Sequence, residues 1–139
     1  MQAGNYERVE GALDQPRSMH YRIVREPRYV RADLFNRRTS GETAEFLQAV
    51  AAACLRLGCY DILVSVHHSR PVFTVEKYGF SSFVELTLKY PARVAITADT
   101  AEVRLAQEYA AMLARLRGTN VRAFRDAAAA AAWLESGRQ

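Results

Sequence analysis

Ile62-Leu63-Val64-Ser65-Val66 is apolar at four of its five positions and rich in branched side chains. A short, nearly continuous run of this kind suits a strand covered on both faces, because neither row of side chains has to meet water. Upstream, Gly58 supplies a helix stop. Before it, Leu47, Val50, Ala51 and Cys54 recur at helical intervals. Thr39 and Glu42 have the spacing of a capping box, which fixes where that helix starts.

Further toward the N-terminus, His20–Arg25 and Arg28–Phe35 flank Glu26-Pro27. Both arms are rich in β-branched and aromatic residues, so the segment predicts a β-hairpin. Residues 1–19 are polar, carry Pro16 and show no period, and they predict a flexible arm ahead of one domain over residues 20–139.

Downstream of the central strand, Pro71–Tyr90 supports two assignments. Ser82 and Glu85 have capping-box spacing, and Phe80, Phe83, Val84 and Leu88 form a helical stripe, which favours a helix from about Ser81. Val84, Leu86 and Leu88 also alternate, so Ser82–Tyr90 is open to a strand. Val94-Ala95-Ile96-Thr97 then predicts a buried strand, and Asp99 the cap of a helix. That helix has the expected apolar stripe Val103, Ala106, Tyr109, Ala110, Leu113 and Leu116, and ends at Gly118. Val121–Phe124 predicts a last strand, and Asp126 caps an alanine-rich helix whose Trp133 folds back on the core. Strand–helix alternation after an opening hairpin implies α/β architecture: one open, largely parallel mixed sheet with helices on its faces.

Composition narrows the function. A chain of 139 residues, 50% of them hydrophobic, can build one core without disulfides or a metal. The net charge of +4 comes mostly from scattered arginines, Lys77 and Lys89 being the only lysines. Without a basic stripe interleaved with aromatics, this argues against nucleic-acid binding. Cys54 and Cys59 would point about 140° apart on a helix. They lack metal-site or redox spacing and predict reduced thiols. No signal pattern opens the sequence and no run reaches the length of a membrane span, so the expected location is cytoplasmic.

The pattern from Arg93-Val94-Ala95-Ile96-Thr97-Ala98-Asp99, through a long helix to Val121–Asp126 and an alanine-rich helix ending Ala132-Trp133-Leu134, resembles the close of SpoIIAA-like proteins. These belong to the STAS and Sec14-related folds, and the element order from Tyr21 to Leu134 is compatible with them. The resemblance implies a non-enzymatic regulatory or protein-interaction module. In STAS-type anti-sigma-factor antagonists a serine after the strand equivalent to Ile62–Val66 is phosphorylated. Here that loop reads His67-His68-Ser69-Arg70, without the Asp-Ser-Ser-Gly signature. Ser69 is the candidate phosphorylation site, with Arg70 at hand to pair a phosphate.

Ligands of open α/β sheets sit beyond the carboxyl ends of the strands. The candidate binding edge is therefore His67, His68, Arg70, Asp99 and Thr100. The rings Phe73, Tyr78, Phe80 and Phe83 are a candidate interface for a protein partner or a homodimer, or the wall of an apolar pocket such as Sec14-related folds offer lipids. A small lipid or nucleotide-like ligand at the carboxyl edge is the alternative function. No nucleophile elbow occurs, and neighbouring strand residues such as His67 and His68 point apart, which spoils chelation. The sequence therefore predicts neither a catalytic set, nor a metal, nor a cofactor.

Overall fold

A computed structural model describes residues 6–10, 18–71, 85, 87–90 and 92–136. Its centre is the predicted strand, β4 (Ile62–His67), of which Ile62 to Val66 are all buried. β3 (Val30–Phe35) and β5 (Val94–Ala98) pair with it in parallel, Ala32 beside Val64 and Val64 beside Ile96. β2 (His20–Arg25) completes the predicted hairpin with β3, closed by a 2.8 Å bond from Glu26 N to Tyr29 O. β6 (Val121–Ala123) lies parallel to β5.

One strand lies where an arm was expected. β1 (Tyr6–Glu10) runs antiparallel to β2 and widens the sheet to six strands in sequential order. Five residues with three charges among them carry too little apolar signal to stand out in sequence. Their pairing is a main-chain matter, settled by the open edge of β2. The central strand is consequently the fourth.

Sequential order also fixes where the helices go. α1 (Ser40–Leu57) links β3 to β4, and α2 (Ala101–Leu116) links β5 to β6. Both steps run the same way across the sheet, so right-handed crossovers lay both helices on one face. Phe46, Val50 and Cys54 of α1 accordingly share a core with Val64, Val94 and Val103. α3 (Ala127–Glu135) follows the last strand and returns over the other face, packing Ala130 and Leu134 on Leu63 and Ala95. Arg93 anchors its end by donating to the carbonyls of Trp133 (2.8 Å) and Leu134 (2.7 Å), satisfying acceptors that a helix terminus leaves open. Trp133 lies against the Arg93 and Arg122 guanidinium groups and close to Phe124.

The helix ends follow the sequence closely. Thr39 and Glu42 form the capping box, Gly58 closes α1 with φ of 66°, and Asp126 caps α3. α2 differs in two respects. Its cap is Thr100, which accepts from Val103 N at 3.2 Å, and not Asp99. Its buried stripe is Val103, Ala106, Gln107, Ala111 and Ala114, whereas Tyr109 and Leu116 lie outside. Small side chains win the inner face because they let the helix approach the sheet closely. Residues 87–89 are helical, and Leu88, expected in a buried stripe, is 54% exposed. Among the described residues no helix is long and apolar enough to cross a membrane.

Candidate functional site

The carboxyl ends of β3, β4 and β5 release three loops that tie to one another. Asn36 and His68 take left-handed conformations, φ 62° and 51°, which turn the chain sharply as it leaves the sheet. Asn36 N donates to His67 O at 3.0 Å, and Arg70 N to Arg37 O at 2.9 Å. Ser69 fills the gap between them. Its hydroxyl donates to His67 O (2.9 Å) and accepts from Arg37 N (3.0 Å). The β5 loop joins through Asp99, whose Oδ2 accepts from His68 N at 3.0 Å and stands 3.7 Å from His68 Nδ1.

His68, Ser69, Arg70, Asp99 and Thr100 therefore do gather at one rim, but most of their polar atoms hold the rim together. Ser69 bonds to main chain and does not begin a helix, so a phosphate there would break two bonds that close the loop. Thr100 is occupied as a cap. His68 is open to solvent, its side chain 76% exposed. His67 points the other way, as strand alternation requires, and its Nε2 lies 3.1 Å from Asp33 Oδ1. Phe73, Tyr78, Phe80 and Phe83 lie outside the described residues.

His67 belongs to a polar patch on the α3 side of the sheet that the sequence did not single out. In register, Asp33, Ser65 and Thr97 form a row across β3, β4 and β5, and all three are buried. Asp33 accepts from Arg31 Nε at 3.2 Å as well as facing His67, and Thr97 Oγ1 donates to Ser65 Oγ at 3.0 Å. His20, Phe35 and His67 stack as a neighbouring row, with centroids 4.8 and 4.6 Å apart. The available signal was period two in β3, where Arg31, Asp33 and Phe35 alternate with Val30, Ala32 and Leu34.

On the opposite face, between α1 and α2, lies a cavity of about 90 Å³. Leu34, Phe46, Val64, Ile96, Val103 and Ala110 are among its apolar lining residues, and Arg37, Thr43 and Gln107 are its polar ones. Gln107 is held by a 2.6 Å bond from Nε2 to Thr97 O, which leaves its Oε1 without a partner. Arg37 is positioned by the loop bonds above and by a short bond from Nη2 to Arg70 O, and its Nε is likewise unpartnered. Both residues are more than nine-tenths buried. Burial lowers the Arg37 pKa to about 10, against the opposing pull of Glu42. A third unpartnered atom, Arg93 Nε, sits at the end of α3, where its terminal nitrogens are taken by carbonyls.

Cys54 and Cys59 are free thiols; Cys54 is buried and Cys59 only partly so, with Arg25 Nη1 at 3.4 Å from its sulfur. No cluster of three metal-ligating side chains occurs among the described residues. In comparisons with known proteins, no family model, no curated protein and no solved structure matches this chain.

Proposed function

We propose that this chain is a non-catalytic binding protein that takes a small apolar molecule with a hydroxyl group into the space between α1 and α2. The observation that carries the reading is that two residues lining the cavity each keep a buried polar atom without a partner, the Arg37 N–H at Nε and the Gln107 carbonyl oxygen. A buried donor or acceptor left unpaired costs about 1–3 kcal/mol, so such atoms are normally matched by something. A hydroxyl offers both complements on one oxygen, accepting from Arg37 and donating to Gln107, whereas a carboxylate ionised beside the Arg37 cation has no proton for Gln107. The hydrocarbon part of the ligand would cover Phe46, Val64 and Ile96. This is the small-ligand alternative with its site moved from the outer rim to the chamber behind it.

Thermal melts of the whole chain against monocarboxylic acids and primary alcohols of graded length test the proposal. A ligand that binds only the native state raises the melting temperature with concentration. Medium-length alcohols should give the largest rise, and Gln107→Leu, which removes the acceptor, should weaken it. Absence of any rise, together with absence of calorimetric heat, overturns the reading. A regulatory or interaction role for a STAS-like module is a second proposal. It is supported by the C-terminal sequence pattern and by the exposed apolar stripe of α2.

A further inference from the structure

α2 is apolar on two opposite sides. The inner side packs Val103, Ala106, Ala111 and Ala114 on the sheet. Directly opposite, Leu105 is 62% exposed, Tyr109 40%, Met112 43% and Leu116 76%. At 3.6 residues per turn these four fall within an arc of about 60°, a narrow seam three turns long. Apolar residues scattered singly over a surface need no explanation, but a continuous seam marks an interaction surface. Leu88, 54% exposed, extends it past the end of the helix, with its Cδ2 3.5 Å from where a Cβ on Gly118 would stand.

We infer that this seam pairs, antiparallel and about a two-fold axis, with α2 of a second copy of the chain. Two properties select this occupant. The seam is self-complementary when reversed: an axis crossing between Ala110 and Ala111 sets Leu105 against the partner's Leu116, and Tyr109 against the partner's Met112. The charges beside it are self-complementary in the same register. Glu108 and Arg115 flank one side of the seam, seven residues apart and both exposed. In an antiparallel pair the positions on that side face each other, so Glu108 meets the partner's Arg115 and Arg115 meets the partner's Glu108. Arg115 already donates from Nη1 to Val121 O at 3.0 Å, which holds the guanidinium in place with donors to spare. An isologous contact of this kind uses one patch twice and closes at two copies.

The pairing goes beyond the ligand proposal and can fail independently of it, because it involves the outer side of α2 only. Sedimentation equilibrium of the full chain should show a dimer. Glu108→Arg sets like charges together at both ends of the seam, as does Arg115→Glu, and each should raise the dimer dissociation constant by about tenfold or more. An equimolar mixture of the two variants should restore association, because each mixed pair again meets opposite charges. Should Arg115→Glu unfold through loss of its bond to Val121, Met112→Arg takes its place and should give monomers with unchanged circular dichroism. A wild-type chain that stays monomeric at its highest soluble concentration overturns the inference. So do variants that associate as well as wild type, or a mixture that shows no recovery.

Discussion

Both faces of the sheet are made from β3, β4 and β5, yet they accommodate polar atoms in opposite ways. Toward α1 and α2 the strands present Leu34, Val64, Val66, Val94 and Ile96, and the few polar groups that enter come from outside the sheet. Two of those groups, on Arg37 and Gln107, keep an unpaired atom. Toward α3 the same strands present Asp33, Ser65, His67 and Thr97, and each of these bonds to another member of the set. A buried polar group matched by its neighbours explains itself structurally, since pairing cancels the cost of leaving water. One left unmatched beside a cavity points beyond the chain. Residue type alone would have sent attention to the histidine–aspartate face; partner accounting sends it to the apolar one.

The comparison breaks most readily at Val64. Val64→Asp forces a carboxylate into the apolar face with no cation at its own register position, Ala32 and Ile96 being its neighbours. A loss of more than about 4 kcal/mol is expected, most of the stability of a domain near the lower end, about 5 kcal/mol, of the usual range. Circular dichroism and urea titration read this directly. An aspartate is tolerated one strand away, at Asp33, because it points to the other face and has Arg31 and His67. A Val64→Asp protein within about 1 kcal/mol of wild type would mean that the two faces do not differ as described.

Much of this was legible in the sequence, and the reasons are local. Capping boxes and the glycine stop depend on neighbouring residues, so Thr39, Glu42, Gly58 and Asp126 could be read without knowing what packs where. The strands near Ile62, Val94 and Val121 were visible because apolar runs survive any register, although the last of them is an edge strand in which Val121 alone is buried. Register itself was not visible. That Asp33, Ser65 and Thr97 form one row depends on how three separate strands align, and no local pattern encodes it. α2 was misread for a related reason. Its two apolar sides interleave in sequence, and weighting by side-chain size drew in Tyr109 and Leu116, whereas close packing on a sheet selects alanine. At the rim, the residues that gather were legible, but not that their hydrogen bonds turn inward. The cavity needed coordinates, because Arg37 and Gln107 are distant in sequence and each looks like an ordinary surface residue.

A smaller effect separates the faces by pH. Cys54, fully buried in the α1 core, has its thiol pKa pushed up to about 12, by burial first and by Cys59 second. Its ordinary value is 9.0, so above that pH the unfolded chain loses a proton that the native chain keeps. The native state then binds more protons, and stability falls as pH rises, by about 1 kcal/mol between pH 9 and 10 for this one group. The interval from pH 9 to 10 isolates it. Tyr21, raised mainly by burial, starts from 10.0, and Arg37, lowered to about 10, acts in the opposite sense only above that value. Urea titrations across this interval should show the decline in the wild type and a flatter profile in Cys54→Ala. An unchanged slope in the variant would place the alkaline loss elsewhere.

The smallest expected effect tests whether the polar face is a matched set. Thr97 Oγ1 to Ser65 Oγ, 3.0 Å, is a neutral hydrogen bond between two buried hydroxyls. Ser65→Ala leaves the Thr97 hydroxyl without its acceptor, and Thr97→Val replaces that hydroxyl with a methyl of similar shape. Each should cost about 1 kcal/mol, because the partner left behind has lost its match. Removing both takes away the need for a match, so the double variant should lose less than the sum of the singles, by at least about 0.5 kcal/mol. Urea midpoints at constant slope give all three numbers. Strict additivity would mean that these hydroxyls find other partners, and the accounting that singles out Arg37 and Gln107 would lose its contrast.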